Sequence, residues 1–166
     1  LEGFLTTTLG KGVVRTRDTP NFIANRVGTF AMISTFHHTA RLGLGLDVVD
    51  TLTGPAIGRP KSGTYRLGDV VGLDTLGHVI RTLTNYLPDD PWHPHYAVPA
   101  ALTALVEKGA LGQKSGAGFY RKQGKDILVL DIATGEYRAS GQGTSDEVNA
   151  ILKIKDAGER LGKLRD

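Results

Sequence analysis

Residues 18–41 read DTPNFIANRVGTFAMISTFHHTAR, and this stretch decides the fold class. Threonine and proline at positions 19 and 20 are typical of a helix start, because threonine can cap and proline is tolerated at the first helical position. From Asn21 to Arg41 the predicted helix is apolar on several faces, which is typical of a central, buried helix. One face carries Ile23, Val27, Phe30, Ala31 and Ser34, and other faces carry Phe22, Ile33 and Phe36.

Shorter helices are expected on the C-terminal side of this one. Residues 46–52 and 64–71 predict two of them, separated by a glycine- and proline-rich loop at 54–63. Asp47 is a plausible cap for the first, and Asp74 can cap a further helix. That further helix has apolar residues at the spacing of one helical face: Leu76, Val79, Ile80, Leu83 and Leu87. Another helix begins at Pro99, with Leu102, Leu105 and Val106 facing inward.

The character of the chain changes after residue 111. Residues 111–120, LGQKSGAGFY, predict a glycine-rich loop, and the apolar run 127–130 followed by a turn and residues 136–138 predicts a small β-hairpin. A polar linker and an amphipathic helix over 147–164 follow. The expected fold class is therefore mainly α, with a small β-hairpin appendage near 127–138.

Composition narrows the classes of function. The 166-residue chain contains no cysteine, which excludes disulfide scaffolds, zinc ribbons and cysteine nucleophiles. Because no apolar run approaches the ~20 residues that cross a bilayer, we expect a cytoplasmic protein with no membrane partner. The net charge of +3 lies in residues 1–121 and suits an anionic small ligand. The absence of a basic stripe interleaved with aromatic residues argues against a nucleic-acid partner.

The first residue bears on domain organisation. The chain begins with leucine, and Met32 is its only methionine. We therefore expect a processed chain or a fragment of a longer protein. Its length suits one domain and is too short for a dinucleotide-binding domain plus a separate substrate domain.

Two stretches look like ligand-binding motifs, but a structural role explains each of them better than ligand binding does. The stretch GLGLDV at 43–48 imitates a dinucleotide fingerprint, but its third glycine position is Val48 and a helix precedes it. A helix C-cap at Gly43 is the better interpretation. The pairs His37–His38 and His93–His95 lack metal-ligand spacing, because adjacent helical side chains point about 100° apart. We expect no metal site.

Asn25 and Lys114 are the candidate site residues. Asn25 lies in the first turns of a mostly apolar helix, where a neutral amide can orient a carbonyl or hydroxyl group or form a structural hydrogen bond at the helix end. Lys114 lies among Gly112, Gly116 and Gly118, where the backbone can approach a phosphate or ribose closely, or where the lysine is simply solvated. A basic turn with Arg59 is a further candidate anion contact.

Three segments together resemble the C-terminal helical domain of the 3-hydroxyacyl-CoA dehydrogenases of fatty-acid β-oxidation. They are DTPNFIANR at 18–26, GPAIGRPKSGTYRLGDVVGLDT at 54–75 and LVEKGALGQKSGAGFYRK at 105–122. Their order and spacing also match. The segment LDIATGEYR at 130–138 is similar to the long bacterial multifunctional proteins, in which a dehydrogenase is joined to an enoyl-CoA hydratase.

The resemblance implies a 6-phosphogluconate-dehydrogenase-like helical domain. It also implies that the functional residues are divided between two domains. NAD and the catalytic base belong mainly to an N-terminal Rossmann domain, of which residues 1–17 would be the end. Residues 18–122 would form the helical domain, and residues 123–166 would form the hairpin, linker and last helix. The resemblance assigns substrate orientation to Asn25 and an approach to NAD to Lys114. It also implies an acyl-CoA substrate and a homodimer or an intramolecular pseudo-dimer.

The chain departs from the family pattern at a few positions, and two other functions stay open. The segment GRPKSGTYRL at 58–67 replaces the commoner proline-methionine-glycine-proline loop, which bears on acyl-chain preference. Asn21 stands where glycine is frequent, and Ser115 where threonine is common. The alternatives are a non-catalytic dimerisation module and a dehydrogenase of a free 3-hydroxy acid. We expect the isolated chain to be inactive.

Overall fold

The structure, a computed structural model, describes residues 1–165 and is mainly helical, as the sequence predicts. In chain order, the α-helices are α1 (Phe22–Leu42), α2 (Leu46–Thr53), α3 (Tyr65–Val71), α4 (Leu73–Tyr86), α5 (Ala100–Glu107), α6 (Asp146–Leu152) and α7 (Ala157–Arg165). The strands are β1 (Tyr120–Gln123), β2 (Asp126–Leu130) and β3 (Tyr137–Ala139). Short 3₁₀ turns lie at Pro55–Ile57, His93–His95 and Gln113–Ser115. Within residues 1–165, no helix is both long and apolar enough to cross a membrane.

Helix α1 begins later than the sequence predicts. Its first residue is Phe22, and Asn21 precedes it in the left-handed region with φ 64°. Thr19 and Pro20 therefore lie before the helix, so the prediction of a helix start there is wrong. The reason is tertiary, because the Asn21 side chain donates its Nδ2 hydrogen bond to the Val79 carbonyl of α4 at 3.1 Å. At the other end, Gly43 adopts φ 62° and confirms the predicted C-cap.

Helix α1 is buried only in part, whereas its several apolar faces predict a central, buried helix. Its buried residues are Thr29, Met32, Ile33, Phe36 and Thr39. Ile23 and Val27, which a buried helix would cover, are 50% and 62% exposed. They are exposed because the elements that pack against α1 cover its second half and leave its first two turns open. An exposed apolar surface therefore stands at the start of the helix.

The core joins the helices to the sheet. Three aromatic rings lie at its centre, with the centroid of Tyr65 4.9 Å from that of Phe119 and 5.0 Å from that of Phe36. Val129 of β2 is fully buried in the same cluster. Because edge-to-face and tilted rings bury large apolar areas, this cluster fixes the sheet against α1 and α3. The sheet is thus part of the core.

In the part of the chain that the structure describes, three strands form one antiparallel sheet in the order β1-β2-β3. The predicted hairpin near 127–138 is confirmed as β2 and β3, with Leu130 opposite Tyr137. The sequence did not predict β1, which pairs with β2 so that Tyr120 lies opposite Val129. The division at residue 122 therefore falls inside a hairpin, and as a domain boundary it stays a prediction.

The two ends of the chain differ from expectation. Val13 and Val14 form no strand; residues Phe4–Thr8 make a π-helical turn, and residues 9–19 carry no regular structure. A strand needs a partner for its backbone groups, and no described strand is paired with this segment. The expected single helix over 147–164 is two helices, because Asp156 accepts a hydrogen bond from the Glu159 N–H at 2.7 Å and starts α7 anew.

Candidate functional site

Asn25 lies in the first turn of α1 and is partly exposed. Its neighbour Arg26 forms an ion pair with Asp90, which also accepts hydrogen bonds from the Trp92 N–H at 2.9 Å and the Tyr96 hydroxyl at 3.1 Å. The Trp92 hydrogen bond, with that of Arg26, lowers the pKa of Asp90. The Asn25 amide has no hydrogen-bond partner within residues 1–165. The Arg26–Asp90 pair therefore ties the start of α1 to the loop that follows α4. The Asn25 amide beside it keeps its donors and its acceptor available.

Lys114 lies in the Gln113–Ser115 turn and forms an ion pair that the sequence did not predict. Its Nζ donates to both carboxylate oxygens of Asp74, at 2.6 and 2.7 Å. The Lys114 hydrogen bond holds the pKa of Asp74 below its ordinary value. The prediction that Asp74 caps α4 is wrong, because the N-cap position is occupied by Gly72. Because an ammonium group has three N–H donors, Lys114 retains one donor, and the Lys114–Asp74 pair as a whole carries no net charge.

The glycine-rich loop around Lys114 packs closely on α3. A Cβ on Gly112 would lie 2.8 Å from the Asp69 Cα, and one on Gly118 would lie 2.8 Å from the Asp69 Cγ. Gly116 has φ 77° and open space around it. Two of the three glycines therefore allow an approach to a neighbouring helix. The expectation that the loop faces a ligand stays a prediction for all three glycines.

Asn25 and Lys114 lie on parts of the fold that pack together. No hydrogen bond joins the two side chains within residues 1–165. Asn25 belongs to α1, and Lys114 is fixed to the first turn of α4 through Asp74. Helices α1 and α4 pack directly against each other. The two candidates therefore share one helical pair, with the amide on one helix and the ammonium group at the start of the other.

Three buried aspartates, whose long-range contacts the sequence did not predict, join α2 and α3 to the sheet and to the segment that follows it. Asp50 of α2 accepts hydrogen bonds from the N–H groups of Thr64, Tyr65 and Arg66 at 2.7, 2.6 and 3.0 Å, and from the Tyr120 hydroxyl at 2.8 Å. Burial raises the pKa of Asp50 although these hydrogen bonds oppose the shift. This carboxylate therefore caps α3 from a different helix and ties it to β1.

Asp69 of α3 makes the next connection along the chain. It accepts hydrogen bonds from the N–H groups of Phe119 and Tyr120, both at 2.8 Å. Burial raises the pKa of Asp69 to about 6, and the same two hydrogen bonds limit the rise. The start of β1, and with it the end of the glycine-rich loop, is thereby fixed to α3.

Asp47 anchors the segment that follows the sheet. Arg138 donates to its two oxygens at 2.8 and 3.1 Å, and the N–H groups of Gly141 and Gln142 donate at 2.9 Å each. Its predicted role as the cap of α2 is wrong, because Gly45 holds that position. The available sequence signal was weak: Asp47 and Asp50 are acidic residues among the apolar positions of a short helix, and their partners are distant in the chain.

The Asp69 carboxyl predicts a pH dependence of stability. Its pKa in the folded chain, about 6, exceeds its ordinary value of 3.8, so folding favours its protonated form. Its stabilising contribution is present below the ordinary pKa and is lost as pH rises through about 6. Between about pH 4 and about pH 7, the free energy of unfolding should fall by about 2 kcal/mol more in the wild type than in Asp69→Asn.

Urea unfolding of both proteins across this pH range measures the difference. Asp131→Asn is the matched control, because Asp131 also accepts a backbone hydrogen bond but lies in a turn near the surface. Its profile should parallel that of the wild type. A difference between wild type and Asp69→Asn that stays constant or grows with pH contradicts the assignment.

The histidines form no ligand cluster. The ring centroids of His37 and His38 are 5.3 Å apart with the rings nearly perpendicular, and the His95 ring lies edge-on to that of His37 with the centroids 6.3 Å apart. The Nε2 atom of His93 is hydrogen-bonded to the Thr84 carbonyl at 2.9 Å. Within residues 1–165, no group of three or more histidine, cysteine or acidic side chains is placed to hold a metal ion.

Comparison with known proteins gives one consistent result. Residues 22–122 match the model of the family described as "3-hydroxyacyl-CoA dehydrogenase, C-terminal domain". The "Probable 3-hydroxyacyl-CoA dehydrogenase" of Bacillus subtilis is 43% identical over 157 residues, which cover 95% of this chain and 19% of that protein. The chain thus spans about a fifth of that curated relative.

Two solved structures of dehydrogenases also match this chain. The crystal structure of Mycobacterium tuberculosis FadB2 matches with a TM-score of 0.63 and 34% identity, over 74% of this chain and 41% of that one. The (S)-3-hydroxybutyryl-CoA dehydrogenase PaaH1 of Ralstonia eutropha matches with a TM-score of 0.60 and 26% identity, over 70% of this chain and 39% of that one. The helical architecture described above is therefore shared with these proteins.

Proposed function

Because this chain belongs to the 3-hydroxyacyl-CoA dehydrogenase family, within its C-terminal domain, we propose that it is the helical domain of an enzyme that oxidises (3S)-3-hydroxyacyl-CoA to 3-oxoacyl-CoA in fatty-acid β-oxidation. The observation that carries the proposal is the family match over residues 22–122. NAD, bound mainly by an N-terminal domain, is the proposed cofactor, and a cytoplasmic location stays a prediction. We further propose assembly as a homodimer or an intramolecular pseudo-dimer.

The proposed role of Asn25 is to orient the substrate. Its amide does not titrate, so it can donate to the oxygen on C3 as charge develops there without exchanging a proton. The absence of a competing partner within residues 1–165 and the Arg26–Asp90 ion pair beside it support this role. NAD, when bound, accepts the hydride from C3.

The proposed role of Lys114 is to donate a hydrogen bond to the cofactor from its Nζ atom. Asp74 occupies two of its donors and balances its charge, so a phosphate would have to compete with a carboxylate. An uncharged acceptor such as a ribose hydroxyl fits the remaining N–H better. Gly116, which faces open space beside Lys114, leaves room for this approach.

Asn25→Ala in the full-length enzyme should lower kcat about a hundredfold, because one oriented donor to a developing oxyanion is lost. Initial rates with 3-hydroxybutyryl-CoA and NAD measure the change. Asn85→Ala is the matched control, since Asn85 is an exposed asparagine near the end of α4 and should leave kcat within about twofold.

The same enzyme variants separate the alternatives. If the helical domain serves only assembly, Asn25→Ala leaves turnover unchanged. The exposed apolar side chains of Phe22, Ile23 and Val27 are the observation that favours an additional contact role for α1. If the substrate is a free 3-hydroxy acid, the wild type oxidises 3-hydroxybutyrate as fast as its CoA thioester. Either result would refute the corresponding part of the proposal.

A further inference from the structure

A polar cleft of about 800 Å³ lies between α2, α3 and the C-terminal segment that Asp47 anchors. Three cationic side chains line it from three separate parts of the chain: Lys61 from the loop before α3, Arg66 from α3 and Arg160 from α7. The basic turn singled out in the sequence contributes to this cleft through Lys61, while Arg59 is exposed and does not line it. Distant segments thus bring positive charge to one concave surface.

None of the three cations forms an ion pair within the part of the chain that the structure describes. The Arg66 guanidinium stacks over the Tyr120 ring at 4.1 Å, which fixes its plane and leaves its N–H edge available. Arg160 donates from Nη1 to the Ile154 carbonyl at 2.9 Å, and its buried Nε has no partner within residues 1–165. Because Nε is closed off from solvent, the donors that Arg160 can offer a ligand are those of its Nη atoms that Ile154 does not engage.

The two carboxylates that line the cleft form no ion pair with these cations within residues 1–165. Asp47 is engaged by Arg138 and two backbone N–H groups. Asp50 is engaged by three backbone N–H groups and the Tyr120 hydroxyl. Arg138 balances the charge of Asp47, whereas the neutral donors around Asp50 leave its charge in place, so the cleft holds three unpaired cations against one unbalanced carboxylate.

We propose that this cleft binds a phosphate group. Arginine presents a fork of N–H donors that matches phosphate oxygens, and lysine adds a mobile point charge. Ser62 and Ser140 supply hydroxyl groups at the same surface. The volume falls in the range that holds small organic ligands, about 300–1,000 Å³. A free phosphate ion and the phosphate of a coenzyme share this chemistry, and the proposal does not depend on the role of Asn25.

Isothermal titration calorimetry on the 166-residue chain tests the proposal, with inorganic pyrophosphate and adenosine 3′,5′-bisphosphate as separate probes at constant ionic strength. We expect saturable binding that Arg66→Met weakens about tenfold. Arg121→Met is the matched control, because Arg121 stacks on the Tyr137 ring at 4.3 Å outside the cleft and its loss removes the same charge. It should change the affinity less than about twofold.

Lys61→Met provides a second variant whose folding is not at risk, since Lys61 is exposed, and it should also weaken binding several-fold. Tighter binding of the bisphosphate identifies a coenzyme as the source of the phosphate, and equal binding of both probes identifies free phosphate. Either pattern supports the site. Absence of saturable binding, or equal weakening by Arg66→Met and Arg121→Met, overturns it. Loss of turnover in Asn25→Ala is independent of all these outcomes.

Discussion

Gly118→Ala is expected to lower the free energy of unfolding by about 4 kcal/mol, because the new methyl group would overlap α3 and disrupt a buried carboxylate. Its Cβ would lie 2.7 Å from the Gly112 Cα and 2.8 Å from the Asp69 Cγ. The backbone of both neighbours is fixed, and the hydrogen bonds from Phe119 and Tyr120 to Asp69 would be displaced. Denaturant unfolding of the 166-residue chain measures the loss.

Gly116→Ala separates this steric effect from a purely conformational one. Gly116 lies in the same loop with φ 77°, and nothing lies within 4 Å of the position of a Cβ. Its replacement should cost only about 1 kcal/mol, the strain of an L-residue in the left-handed region. Equal losses in the two variants would show that the loop is not packed on α3 as described.

Asp50→Ala is expected to cost about 4 kcal/mol, because three backbone N–H groups and the Tyr120 hydroxyl would lose their acceptor in the protein interior. The loss should be accompanied by fraying of α3, whose first N–H groups Asp50 caps. Hydrogen exchange at Tyr65 and Arg66, together with denaturant unfolding, measures both effects.

Asp131→Ala is the control for Asp50→Ala. Asp131 accepts the Ala133 N–H at 2.9 Å in an exposed turn, where water can replace the lost acceptor. We expect a cost below about 1 kcal/mol. A small loss in Asp50→Ala, with unchanged exchange in α3, would contradict the capping role.

Local patterns in the sequence were sufficient for the helical framework. The apolar periodicity of α4, with Leu76, Ile80 and Leu83 buried, follows from side chains three and four residues apart sharing one face. Gly43 could be identified as a C-cap because glycine tolerates the left-handed conformation that ends a helix. The hairpin of β2 and β3 followed from a short apolar run and a turn. Asn25 and Lys114 were singled out by residue type and resemblance, and their roles stay predictions.

Only the tertiary structure decided how these elements are held together. Asp47, Asp50 and Asp69 each accept backbone hydrogen bonds from segments more than ten residues away, and periodicity within a helix carries no record of such partners. The start of α1 at Phe22 depends on the Asn21 contact with α4. Sequence therefore determined where helices form, since that depends on near neighbours, whereas packing between distant segments decided which polar groups they bury and which cations the cleft gathers.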